Sequence, residues 1–190
     1  MRKVNILIDM GGIMAEQYSF QAVFIEQIND LLSAELLINK ALPRYIEVVS
    51  SSSLHAALVL YWKETTQHAS TLLKILEELN FAISPSVRSV CKTIEGTLEE
   101  ADAVMRHDGD SPVKDASFIA IIQRLQHYKM AIYGTARTFA RHLEYNQAMI
   151  LLQHALIEEA EADRNLTYLA EGGLFTNGIN EEAYKAKVGV

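Results

Sequence analysis

Two glutamates stand where aliphatic residues belong. Across residues 18–49 the apolar positions Phe24, Ile28, Leu31, Ile38 and Leu42 recur at helical steps, and the position missing from that rhythm is Glu35. Across residues 146–172 the stripe is Ala148, Leu152, Ala155, Ala162, Leu166 and Leu169, and Glu159 fills its gap. A carboxylate in an apolar core is costly unless it is protonated, ion-paired or bound to a metal. Two helices that each turn one glutamate inward present the pattern of a carboxylate-bridged di-iron site. The commoner outcome of such a pattern is a slightly rotated helix with its glutamate on the surface.

A second helix offers Glu64 and His68, one turn apart, with His68 on the apolar stripe Leu54, Leu58, Tyr61, Thr65, His68, Leu72, Ile75 and Leu79. Carboxylate plus imidazole suits iron, manganese or zinc; the plainer alternative is a hydrogen bond across one turn. Asp163 follows Glu159 by one turn and offers a second ligand from the last helix, whereas His154 and Glu158 share that spacing off the stripe and read as surface. In the third core helix the stripe is Phe118, Ile121, Leu125, Tyr128, Ile132, Thr135 and Phe139. The face adjoining it carries Gln126 and Lys129. A symmetric di-metal bundle wants carboxylates there. An ammonium would repel a metal cation and is suited instead to neutralise Glu35, Glu64 or Glu159. A metal set of Glu35, Glu64, His68, Glu159 and Asp163 therefore competes with a salt-bridged core in which Lys129 and Gln126 stand in for ligands.

These residues need long helices to carry them. Four are expected: residues 18–49, with Pro43 kinking or ending the first; residues 50–79, capped by the serine run at 50–53; residues 113–144; and residues 146–172, with Asn146 as a cap and Gly172-Gly173 as the stop. At about 25–30 residues each they span roughly 40 Å. Short joins lie between the first two and the last two, and a long crossover containing a short helix at 90–105 links the pairs. That is the ferritin-like variant of the four-helix bundle, an all-α fold. An N-terminal extension (1–17) precedes the bundle (18–171), and a loosely held C-terminal tail (172–190) follows it.

Composition narrows the function. In 190 residues, 24 acids against 17 Lys and Arg give a net charge of −7, which argues against a nucleic-acid partner. The single cysteine, Cys91, excludes a disulfide framework within one chain and reads as a buried structural thiol fitting a cytoplasmic setting. No apolar run reaches the length of a membrane span. The N-terminal stretch from Val4 to Gly12 starts like a signal peptide but is interrupted by Asn5 and Asp9. Its Gly11-Gly12 pair lacks the strand–loop–helix context of a phosphate loop.

Several stretches also occur in an order and spacing that resemble a known family. They are Asp30 to Glu35, Lys40 to Pro43, Glu64-Thr65, Cys91-Lys92 with Glu95-Gly96, Pro112 to Ala116, His127-Tyr128, Tyr133 to Ala136, and Glu158-Glu159 through Asp163. Together they cover about residues 20–170 and resemble the YciE/YciF stress-protein branch of the ferritin-like superfamily. The resemblance implies a dimeric ferritin-like bundle of bacterial stress and envelope-damage responses. It also implies a di-metal carboxylate site, with Glu35, Glu64, Glu159 and Asp163 at the family's acidic positions. Against the family pattern, Gln126 and Lys129 replace both carboxylates of a Glu-His-Tyr-Glu motif, Tyr61 replaces a common histidine, and His68 falls where glutamine is frequent.

Two functions follow. One is a homo-oligomeric stress protein with a degenerate metal centre, acting by binding or assembly. The other is a metalloprotein with an altered iron or manganese site, handling peroxide or storing iron; enzyme status stays open between them. The charge arithmetic leans toward a centre without cofactor. Val59, Leu60, Tyr61 and Trp62 are apolar on every side of their helix and form the candidate homodimer interface.

Overall fold

The computed structural model describes residues 19–83, 91–173 and 176–188. The expectations placed on Val4 to Gly12 lie outside those residues. Helix α1 (Phe20–Ile46) starts at Ser19, whose hydroxyl accepts from Ala22 N at 3.1 Å. It runs through Pro43 and stops one turn later. Helix α2 (Ser52–Glu78) is capped by Ser51, as the serine run implies. Helix α3 (Lys92–Arg106) occupies the crossover, and α4 (Ser111–His142) and α5 (Asn146–Glu171) complete the bundle.

Helix α1 packs on α2 and α4, and α5 packs on the same two, so α1 and α5 lie on a diagonal. The C-terminal half of α1 shares a core cluster with the beginnings of α2 and α4 and the end of α5. Neighbouring helices in the square therefore run antiparallel. This is the ferritin-like arrangement with one long crossover.

Local details depart from the expected pattern in two places. Asn146 is the first helical residue of α5 rather than its cap; the cap position is Tyr145, whose side chain makes no capping bond. The chain reverses instead through Glu144 at φ 61°, and Tyr145 N donates back to Ala140 O at 2.9 Å. Among its described residues the tail is packed rather than loosely held. After Gly172, which ends α5 at φ 78°, a two-residue hairpin of β1 (Gly172–Gly173) and β2 (Thr176–Asn177) turns the chain into α6 (Ile179–Val188). Helix α6 packs against α4 and α5 and buries Ile179 in the core.

The crossover is pinned by polar contacts. Arg44 donates to both carboxylate oxygens of Asp102 on α3, at 2.9 and 3.1 Å. Buried Asp115 accepts from Ser50 N, Ser51 N and the Ser50 hydroxyl, which ties the α1–α2 turn to α4. Cys91 is buried, with Sγ 3.0 Å from the Tyr128 hydroxyl.

Candidate functional site

The apolar core among the described residues is split in two. One cluster contains Ile38, Leu42, Leu58, Ile122 and Leu166, and the other Phe24, Ile28, Leu72, Ala140 and Leu152. Between them, one layer deep, lie Glu35, Thr65, His68, Gln126, Lys129 and Glu159, all buried. Every core helix contributes, because each carries a polar residue at the same height on its inward stripe.

Lys129 holds the layer together. Its ammonium donates to Glu35 Oε2 at 2.9 Å and to Glu159 Oε1 at 2.5 Å, and all three side chains are fully buried. It also sits 4.8 Å from the centroid of the Tyr61 ring. The Tyr133 hydroxyl donates to Glu35 Oε1 at 2.7 Å. His68 Nδ1 lies 3.2 Å from Glu159 Oε1 and 3.4 Å from Glu35 Oε1. These two are ion-pair approaches rather than aligned hydrogen bonds. On its other side, His68 Nε2 meets Glu158 Oε2 at 2.8 Å.

Charge explains the protonation states. Burial alone would push the His68 imidazolium toward neutrality, yet the adjacent Glu159 and Glu35 carboxylates raise its pKa from 6.5 to about 10. Burial likewise opposes the Lys129 ammonium, and Glu159 and Glu35 outweigh it, holding Lys129 well above its ordinary value. For Glu35, burial raises the pKa, but Lys129, His68 and Tyr133 together bring it below the usual carboxylate range. Lys129 and His68 thus face Glu35 and Glu159 in the core, with Glu158 on the outer side of His68.

Glu35, His68, Lys129 and Glu159 meet, and Gln126 adjoins them. Glu64 does not join the ion pairs: it is half-buried beside a cavity between α2 and α5, and burial raises its carboxyl pKa. Asp163 points elsewhere, accepting from Gln123 Nε2 at 3.1 Å with His127 Nε2 at 3.3 Å. Glu158, read as a plain surface residue, is half-exposed but reaches His68. The stripe of α4 also needs correction beyond Leu125, because the buried positions there are Gln126, Lys129, Tyr133, Ala136 and Ala140 rather than Tyr128, Ile132, Thr135 and Phe139. Tyr128, Ile132 and Phe139 are only partly buried on the flank of the central face, and periodicity did not separate that apolar flank from the face carrying Gln126, Lys129 and Tyr133. Tyr133 lies one turn beyond Lys129, and that spacing was the available sign that it belongs to the layer.

Tyr61 is 2% exposed and belongs to the core, which removes it from the candidate interface. Leu60 and Trp62, 54% and 38% exposed, stand on opposite flanks of α2, so the segment does not present one continuous face.

A metal would have to share this layer with Lys129. Glu35, His68 and Glu159 place one ligand atom each within 4.8 Å of one another. However, a divalent ion ~3 Å from an ammonium is repelled by about 10 kcal/mol at an effective dielectric of ~20. With Lys129 charged and bonded to both carboxylates, the residues present do not fit a metal.

The family described as Domain of unknown function (DUF892) matches residues 19–183. The chain belongs to the DUF892 family. "Protein YciF" of Escherichia coli strain K12 is 34% identical over 166 residues, covering 87% of this chain and 95% of that protein. The crystal structure of the E. coli stress protein YciF superposes with a TM-score of 0.75 at 30% identity, covering 90% of this chain and 98% of the other. YcfI from Rhodopseudomonas palustris matches with a TM-score of 0.76 at 28% identity, covering 84% and 99% of the two chains. This DUF892 chain thus matches its relatives over nearly their whole length. None of its described helices is long and apolar enough to cross a membrane.

Proposed function

We propose that this chain is a ferritin-like bacterial stress protein of the cytoplasm whose central layer is an internal ion-pair network in place of a di-metal centre, and that it acts by binding and assembly as a homo-oligomer. The observation that carries this reading is the Lys129 ammonium between Glu35 and Glu159. It supplies from within the chain the positive charge that two inward carboxylates require. The stress role rests on the likeness to E. coli YciF, which bears the description of a stress protein.

Elemental analysis of purified protein tests the centre. The expected result is no stoichiometric iron, manganese or zinc in the native chain, and metal uptake in Lys129→Glu, where the cation is replaced by a further carboxylate. One or two metals per native chain would overturn the reading in favour of the alternative, an altered iron or manganese site drawn from Glu35, Glu64, His68, Glu159 and Asp163.

For assembly, the flank of α2 that carries Trp62 also carries Leu73, 39% exposed and three turns further on. We assign the self-contact to this flank. Light scattering on a sizing column should give an oligomer for the native chain and a smaller species for Trp62→Glu. A native monomer at all concentrations would refute the assignment.

A further inference from the structure

A cavity of about 340 Å³ opens between α2 and α5 and reaches down to α4. That is at the lower end of the size range of small-molecule sites. Its lining includes two unpartnered polar atoms, both of the Gln126 amide, and the Tyr61 hydroxyl, which lies beside the Lys129 ammonium. Gln126 is fully buried and Tyr61 nearly so. Buried polar atoms are normally satisfied, and each one left without a partner is destabilising. These atoms border a space large enough for an occupant.

The lining also specifies the chemistry of that occupant. Its charged residues are Glu64, half-buried, and Glu161, exposed; among the described residues no basic side chain lines the cavity. The nearest cation in the layer, Lys129, is engaged by Glu35 and Glu159. Anionic ligands are therefore disfavoured and a cationic head is favoured. The Gln126 amide and the Tyr61 hydroxyl each offer a donor and an acceptor, so the ligand must carry hydrogen-bonding atoms of both kinds. Ala57, Leu58 and Leu166 supply apolar wall for a short aliphatic segment.

We propose that this cavity binds a short-chain amino alcohol, with its ammonium at the Glu64 carboxylate, its hydroxyl at the Gln126 amide and Tyr61 hydroxyl, and its methylene chain against Leu58 and Leu166. The site goes beyond the ion-pair reading and rests on it in one respect, that Lys129 is held by Glu35 and Glu159 and is not free to attract an anion. Tyr61 is shared with the Lys129 layer, whereas Glu64 and Gln126 are not among the groups that bond Lys129.

Methyl NMR titration of the intact chain with 4-aminobutan-1-ol, butan-1-ol and 4-hydroxybutanoate separates the contributions. The amine should shift the Leu58 and Leu166 methyl signals saturably in the millimolar range, as suits a ligand of about six non-hydrogen atoms. Butan-1-ol, lacking charge, and 4-hydroxybutanoate, with charge reversed, should bind at least about tenfold more weakly. Glu64→Gln should weaken the amine by a similar factor with helicity unchanged, and Gln126→Leu should abolish the preference for the hydroxylated amine over butylamine. Equal binding of the three probes, no saturable shift with the amine, or native affinity in Glu64→Gln would each overturn the proposal.

Discussion

Replacing Lys129 by methionine keeps a long unbranched side chain in the same space and removes the cation. Its contacts at 2.9 and 2.5 Å correspond to about 12 kcal/mol of Coulomb attraction at an effective dielectric of ~20. Most of that attraction offsets the desolvation of three ions, so the net loss is smaller, about 3–5 kcal/mol for stripping one partner from a buried pair. A second route to the magnitude uses the escape open to the variant. His68 still balances one carboxylate, and the other can take up a proton. Protonating a carboxyl of ordinary pKa ~4.3 at pH 7 costs about 3.7 kcal/mol, in agreement with the first figure. This second route also fixes a pH dependence: the gap between native and variant should shrink to about 1.6 kcal/mol at pH 5.5 and vanish near pH 4.3. Urea unfolding followed by circular dichroism at pH 5.5 and 7 measures both points. At pH 7 the melting temperature should fall by about 7–15 °C. A gap under about 1 kcal/mol at pH 7, or one that stays constant between the two pH values, would show that Lys129 does not neutralise buried charge and would refute the reasoning.

Three other outcomes follow from the same geometry. Because the folded-state pKa of His68 is raised to about 10, its contribution is complete below pH ~6.5 and is lost as pH rises through about 10. Native stability should therefore decline from pH 7 to 10, by at most about 1.4 kcal/mol per pH unit from this group, and His68→Gln should flatten the decline in a stability–pH series. Tyr133→Phe removes the hydroxyl that donates to Glu35 at 2.7 Å and should cost about 1.5–3 kcal/mol in urea titration. Gly172→Ala places a Cβ at φ 78° against Gly178 N and Thr176 O; amide exchange in α6 should accelerate sharply, with an overall loss above about 1 kcal/mol.

Periodicity alone carried much of the architecture. The four long helices, the short joins and the helical crossover follow from apolar steps of three and four residues between turn signals. The inward placement of Glu35, His68 and Glu159 was legible for the same reason: each interrupts or continues a clean stripe on a helix with one buried face. Where apolar residues spread beyond one face, that logic weakens. Helix α4 carries apolar residues on the flank of its inward face as well as on it, so its stripe pointed to Tyr128 and Ile132, while Lys129 and Tyr133 hold the interior.

Glu35 and Glu159 were legible as candidate buried charges, because each fills a gap in an apolar stripe, although a slightly rotated helix would have carried either one to the surface. What neutralises that charge was not determined locally. Lys129 is remote from both in the chain, and its selection as counter-charge depends on the phase of α4 about its own axis, which packing against four other helices sets. The same holds for Asp163, turned outward to Gln123, for Glu158, drawn to His68, and for the cavity beside Gln126. A sequence specifies which faces must be covered. The rotation and spacing that bring distant side chains within 3 Å of one another arise only once all the helices pack together.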